Sequence, residues 1–196
     1  MLKKLLLSCL LALPTAVFAD ANDGQFMGYQ LGDIYPKPPT KSELTASGNL
    51  SIVAEDATKP TSVDEVRLVT TPSSKTIGYI AASSWHDTEE EARASGRRFA
   101  EALRTLYPDW EFGRELMDGR FKIVEVNFDK PPYNLQLSLV PVRHDGRDMW
   151  RFSMGLGWLP DSKDFRAWQG QAASERAAAK SDDAESLLDN PEFRGL

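Results

Sequence analysis

Residues 135–158 read LQLSLVPVRHDGRDMWRFSMGLGW, two alternating runs on either side of Asp145-Gly146. That dipeptide tolerates positive φ at both central positions of a two-residue hairpin turn, and period-2 alternation is the pattern of a half-buried strand. Folding the chain about the turn sets Leu135 opposite Leu156, Leu137 opposite Met154, Leu139 opposite Phe152 and Pro141 opposite Trp150. The large apolar side chains then share one side. The other side pairs Gln136 with Gly155, Ser138 with Ser153 and Val140 with Arg151, while Arg143 faces Asp148 near the turn. A slip of one residue would move the leucines into water, so the hydrophobic pattern specifies the register.

Upstream of this hairpin, residues 121–128 read as a further strand, entered by a Met117-Asp118-Gly119-Arg120 turn and closed by Pro131-Pro132. A short strand over residues 110–116 is expected to pair across that turn. Before it the period changes: Ala92, Gly96, Phe99, Leu103 and Leu106 recur at three- and four-residue steps, which predicts the main helix. Asp87 with Glu90, or Thr88 with Glu91, supplies an N-cap and a carboxylate three residues on, and Pro108 stops the helix. Gly96 on the apolar stripe implies close contact with the sheet, because glycine inside a helix costs about 1 kcal/mol relative to alanine. Still earlier, Val66, Leu68 and Thr70 alternate, then Ile77, Tyr79 and Ala81. A fold about Ser73-Ser74 sets Leu68 against Tyr79 and Val66 against Ala81.

The order is therefore β-β-α-β-β-β, with one more strand or an extended clasp expected at Phe26-Met27-Gly28-Tyr29-Gln30-Leu31-Gly32. This predicts an α+β fold: an antiparallel sheet of about five or six strands with one principal amphipathic helix on its apolar face. Four regions are expected. Residues 1–19 form an export signal and 20–62 a mostly looped, proline-rich segment, in which Pro36-Lys37-Pro38-Pro39 is a stiff connector. Residues 63–160 form the α+β core, and 161–196 a charged, alanine-rich tail that is partly helical or mobile. Phe165, Trp168, Ala172 and Ala179 give that tail a weak apolar side.

The chain has 196 residues, 41% hydrophobic and 27% charged, with five tryptophans, two histidines and one cysteine. A mean hydropathy of −0.40 with this apolar content fits a folded domain and excludes wholesale disorder. Lys3 and Lys4, the apolar run over 5–13, Pro14 and the small residues of Val17-Phe18-Ala19 follow the export-signal pattern, with Asp20 as the mature start. Leu6-Leu7-Ser8-Cys9 is no lipobox, since too few apolar residues precede the thiol. Cleavage leaves 21 basic against 29 acidic residues, a net charge of −8, and removes the cysteine. A chain without thiols suits an oxidising compartment, so the expected address is periplasmic or secreted. The apolar stretch that begins at Leu5 is too short for a comfortable bilayer span, so no integral membrane segment is expected in the mature chain. Asn49-Leu50-Ser51 is a glycosylation sequon in a eukaryotic host only.

The chemistry legible in the residues is sparse. His86 and His144 cannot build a multi-histidine centre, one cysteine cannot build a thiolate site, and no calcium-loop pattern occurs, so no metal or other cofactor is expected. No G-x-S-x-G elbow, P-loop, dinucleotide fingerprint or H-E-x-x-H motif occurs. Ser73-Ser74-Lys75 reads as a hairpin loop, not a Ser/Lys dyad, and His144 as a turn residue. Asp109 with Glu111 and Asp182 with Asp183 read as solvated charge, not as acid and base. Trp85, Trp110, Trp158 and Trp168 fall at element ends, where aromatic rings seal cores or face partners. The expected ligand-binding set is Trp85, His86 and Trp158, with a glycan or an envelope protein as partner. An acidic mature chain, its helix arginines interleaved with glutamates, excludes nucleic acid.

These observations favour a non-enzymatic exported binding or accessory protein of the cell envelope. An inhibitor or immunity protein acting on a basic envelope-targeting hydrolase is a second expectation, from the charge. A small hydrolase using carboxylates or His86 is a third.

Overall fold

The structure, a computed structural model, describes residues 21–113, 116–118 and 123–189. The predicted leader over 1–19, with Cys9, and residues 119–122 of the predicted turn and strand lie outside the described residues.

A 3-10 turn at Ala21–Asp23 leads into a small ribbon, β1 (Gln25–Phe26) against β2 (Tyr29–Gln30). Next come β3 (Ser42–Leu44), β4 (Leu50–Val53), β5 (Glu65–Thr70) and β6 (Ile77–His86). Helix α1 (Glu89–Leu106) precedes β7 (Glu111–Phe112), β8 (Leu116–Asp118), β9 (Ile123–Lys130), β10 (Tyr133–His144) and β11 (Arg147–Trp158), and α2 (Lys163–Asp189) ends the described chain. The second sheet runs β3-β4-β5-β6-β11-β10-β9-β7, with β8 also paired to β9. Every pairing recorded among the described residues is antiparallel, so the fold is α+β. The sheet is wider than the sequence pattern indicated. Strands β3 and β4 extend one edge out of the region read as loop, and at the other the single short strand expected over 110–116 is two, β7 and β8, both paired to β9.

The centre of the sheet follows the hydrophobic pattern. Strands β10 and β11 pair Leu135 with Leu156, Leu137 with Met154 and Leu139 with Phe152, in the predicted register to the turn. Asp145 and Gly146 have φ of 49° and 78°, as a two-residue primed turn requires. All six of those paired side chains are buried.

The β5–β6 hairpin departs from its predicted register. Thr70 pairs with Ile77 as expected, but a bulge leaves Gly78 unopposed, and from there Leu68 faces Ile80 and Val66 faces Ala82. One extra residue reverses the alternation. Ile80 and Ala82 therefore join the core, and Tyr79 and Ala81 lie on the opposite face. On that face the Tyr79 ring occupies the space beside Gly155 and Gly157 that their missing side chains leave.

Helix α1 starts where the capping pattern places it, with Thr88 as the N-cap accepting from the Glu91 amide. It buries Ala92, Ser95, Phe99 and Leu103 against β6, β10 and β11. Phe99 stacks on Phe152 with ring centroids 5.3 Å apart. A Cβ on Gly96 would lie 3.4 Å from the same Phe152 ring, an ordinary van der Waals contact, so the close approach expected at this glycine is not required by the packing.

Residues 21–62 also supply core side chains, among them Phe26, Met27, Leu31, Tyr35 and Ile52. A polar clasp fixes the proline-rich stretch: the Tyr29 hydroxyl and the Lys37 ammonium both donate to Asp56, at 2.5 and 2.6 Å. The Lys37 bond, then the Tyr29 bond, hold the Asp56 carboxyl below its usual range. Burial and the same carboxylate push the Tyr29 hydroxyl well up.

The tail docks as α2 across the ends of β6, β5 and β4. Trp168 is buried, and its Nε1–H donates to the Thr76 carbonyl at 2.9 Å. The Ser73 and Ser74 amides donate to Glu175 Oε2 at 2.8 and 3.1 Å, and the Ser74 hydroxyl donates to Oε1 at 2.6 Å. Arg176 reaches Asn49 Oδ1 at 2.7 Å. Partial burial alone would raise the Glu175 carboxyl, but these hydrogen bonds outweigh it and hold the group below its ordinary value. A depressed folded value means that this contact stabilises docking above the ordinary glutamate range and is lost as pH falls through the folded value. Glu175→Gln is expected to weaken docking by about 1 kcal/mol and to flatten its acid dependence. Amide exchange at Ser73 and Ser74 against pH checks both; an unchanged acid limb would show that another group controls it.

Candidate functional site

Alternation along a strand decides first where the predicted ligand residues go. Trp85 and His86 are consecutive in β6 and so project to opposite faces of the sheet. The Trp85 ring packs on His144, with centroids 4.5 Å apart, and its amide donates to Asp64. His86 lies beside Trp150 of β11, and its Nε2 is buried with no hydrogen-bond partner among the described residues. Trp158 closes the far end of β11, opposite Tyr133 and near Gly32. Eight residues of strand, about 26 Å, separate it from Trp150. The three residues do not converge. Trp110 and Trp168 are buried and seal the fold.

The structure forms a different concavity, a groove of about 320 Å³ between α1 and β10. Its floor is Leu137 and Leu139 of β10 with Phe152 of β11, whose side chains point at the helix because they occupy alternate positions on the apolar face. Its helix wall is Ala92, Gly96 and Ala100, one residue every helical turn, and short side chains there leave the space open. Phe112 of β7 forms part of the opposite wall.

Charge is confined to the rim. Arg93, Arg97 and Arg104 border the groove together with one carboxylate, Glu101. Glu89 holds Arg93 at 2.8 Å, one turn away, an arrangement suited to an exposed helix pair. The Arg104 guanidinium lies 3.9 Å from the centre of the Phe112 ring, a cation–π contact. Neither Arg97 nor Arg104 has a carboxylate partner among the described residues. The result is a concavity with a buried apolar base and cationic borders.

A second depression, about 290 Å³, lies near the Asp145-Gly146 turn and is bordered by Asp87, Arg143, Asp148 and Trp150. Its rim carries both charge signs and a half-exposed wall. Among the described residues, no group of three or more His, Cys, Asp or Glu side chains is placed to hold a metal ion. No described helix is long and apolar enough to cross a membrane.

Sequence reasoning placed Ala92 and Gly96 on the apolar stripe of the helix and read its arginines only as interleaved with glutamates. It missed that Ala100 continues the row of small residues along the boundary between the two. Compared with known proteins, the chain matches no protein-family model and is similar to no curated protein.

Proposed function

We propose that this chain is an exported, periplasmic binding or accessory protein of the cell envelope that recognises its ligand in the α1–β10 groove and catalyses no reaction. The observation that carries the reading is the groove itself, with its buried floor of Leu137, Leu139 and Phe152 and the arginines at its border. A concavity with an apolar base and a few polar groups at its edge is the usual form of a recognition site. The leader pattern over 1–19 and the thiol-free chain after it support the exported address.

The test uses the chain exported by its own leader, with Ala100→Trp as the blocked form. Indole at position 100 fills the trough from its helix wall and leaves the buried Phe99 and Leu103 in place. The wild type is expected to retain an envelope component that Ala100→Trp loses, with both proteins unfolding at similar temperatures. Equal retention by both would overturn the groove assignment. Turnover of an envelope substrate by the wild type would overturn the non-enzymatic reading. Intact mass beginning at Asp20 checks the predicted cleavage.

A further inference from the structure

On the face of the sheet opposite α1, the Tyr79 ring lies in an uncommon position. Tyr79 belongs to β6, yet a Cβ built on Gly155 of β11 would fall 1.7 Å from its hydroxyl oxygen, and one on Gly157 would fall 2.9 Å from its ring Cδ2. The ring therefore lies down along β11, in the space of two absent side chains, instead of standing off β6. One side of it rests on the strand, and Tyr79 keeps part of its surface in solvent. Beyond the hydroxyl the same face stays low as far as Trp85 and Arg151: Ala81 is small, and Ser83 and Ser153 turn their hydroxyls to each other at 2.9 Å. A ligand seated on the ring can continue along the two strands without meeting a tall side chain.

Polar groups border the ring on its β10 side. Gln136 pairs with Gly155 and Asn134 with Gly157, and Asn127 and Asp129 of β9 continue the two rows. All four are part-exposed. Asn134 donates to Asp129 at 2.5 Å, whereas the Asn127 side chain has no hydrogen-bond partner among the described residues and Gln136 has only the Tyr79 hydroxyl, at 3.5 Å. Those two carboxamides therefore keep both donors and acceptor capacity for a ligand. Charge is already spent here. Arg67, on the β5 side of the ring, is held by Glu65 at 2.5 Å and by Glu43. An anion finds no unpaired guanidinium beside the ring, and Asp129 repels it.

The matching ligand is uncharged, with C–H groups on a flat face and hydroxyls at its edge. The face of an aromatic ring is electron-rich and attracts C–H groups, and a hydroxyl both donates and accepts, as a carboxamide does. A pyranose with equatorial substituents has that form, and in chains of the cellulose or chitin type successive pyranoses lie in one flat ribbon, suited to the low face along β6 and β11. We infer that this sheet face binds a linear, uncharged glycan of the flat-ribbon type, with one sugar ring on Tyr79 and its hydroxyls on Gln136 and Asn127. The face lies across the sheet from the α1–β10 groove, and neither reading depends on the other.

Calorimetric titration of the exported chain with cellotetraose and chitotetraose, carried to millimolar concentration, tests this. Maltotetraose, equally long and uncharged but curved by its links, is the control. Saturable one-to-one binding of a flat tetrasaccharide is expected, with affinity for maltotetraose about tenfold lower or less. Tyr79→Ala should abolish binding. Tyr79→Phe keeps the ring and should hold affinity within about threefold, while Asn127→Ala with Gln136→Ala should weaken it about tenfold, as loss of two neutral hydrogen bonds does. Backbone amide shifts in the unaltered protein give a readout that needs no variant, and they should concentrate at Gly155, Gly157, Gln136 and Asn127. Failure of both flat tetrasaccharides to bind, equal affinity for maltotetraose, loss of binding in Tyr79→Phe, or shifts centred on the α1–β10 groove would each overturn the inference. Binding of oligothymidylate in place of either sugar would assign the ring to nucleobases and overturn it as well.

Discussion

Phe152→Ala is expected to cost about 3–5 kcal/mol, the range for emptying a large buried aromatic site. Phe152 is 2% exposed and lies where three elements meet. It pairs with Leu139 of β10 on one side and Ser84 of β6 on the other, and its ring stacks on Phe99 of α1. Gly96 approaches the same ring, so the helix backbone cannot follow the shortened side chain without carrying Phe99 along. The space left behind should therefore remain partly open, which puts the cost at the upper end. For a chain of this size the change corresponds to a drop in midpoint temperature of about 10 °C. Phe152→Leu keeps most of the volume and should cost under about 2 kcal/mol. Denaturant titration of the two variants measures the difference. Nearly equal costs would mean that the α1–sheet contact rests on other residues.

How far the sequence led depends on the range of the interaction that fixes each element. The β10–β11 pair was legible to the residue, because period-2 alternation and an Asp-Gly turn both act within a dozen positions and agree. Helix α1 was legible for the same reason, its cap narrowed to Asp87 or Thr88, of which the structure uses Thr88. The β5–β6 register was not, because a bulge at Gly78 is invisible to alternation, and a single unpaired residue sends Tyr79 and Ala81 to the other face. Strands β3 and β4 have three and four residues, too few to show a period; the sheet edge they join makes them strands. The proposed ligand residues failed to assemble for a local reason. Trp85 and His86 are neighbours in sequence, and on a strand that separates them. The groove escaped notice because its floor and its wall come from segments some forty residues apart, and only the packed structure brings Ala100 beside Leu137.

Trp168→Ala should release α2 at a cost of about 3–5 kcal/mol, and Gly78 supplies the control that gives this prediction its force. The tryptophan ring fills the place of the missing Gly78 side chain: a Cβ there would come within 2.1 Å of the indole. The ring's burial, its hydrogen bond to Thr76 and its exclusion of a side chain at Gly78 all end when Trp168 is cut to alanine. Gly78→Ala in the wild type must displace the ring and should destabilise strongly. Its backbone φ lies outside the positive range, so the backbone admits alanine and the nearest obstruction is the indole. In a Trp168→Ala background the same substitution should become neutral, or stabilise by about 0.4–1 kcal/mol through the reduced freedom of the unfolded chain. The sign of one mutation thus depends on the presence of the other, which a double-mutant cycle reads directly. Limited proteolysis within residues 161–176 should report release of α2 in each single variant. Additive costs in the cycle would mean that ring and glycine act independently, and that α2 is held mainly by Glu175 and Arg176.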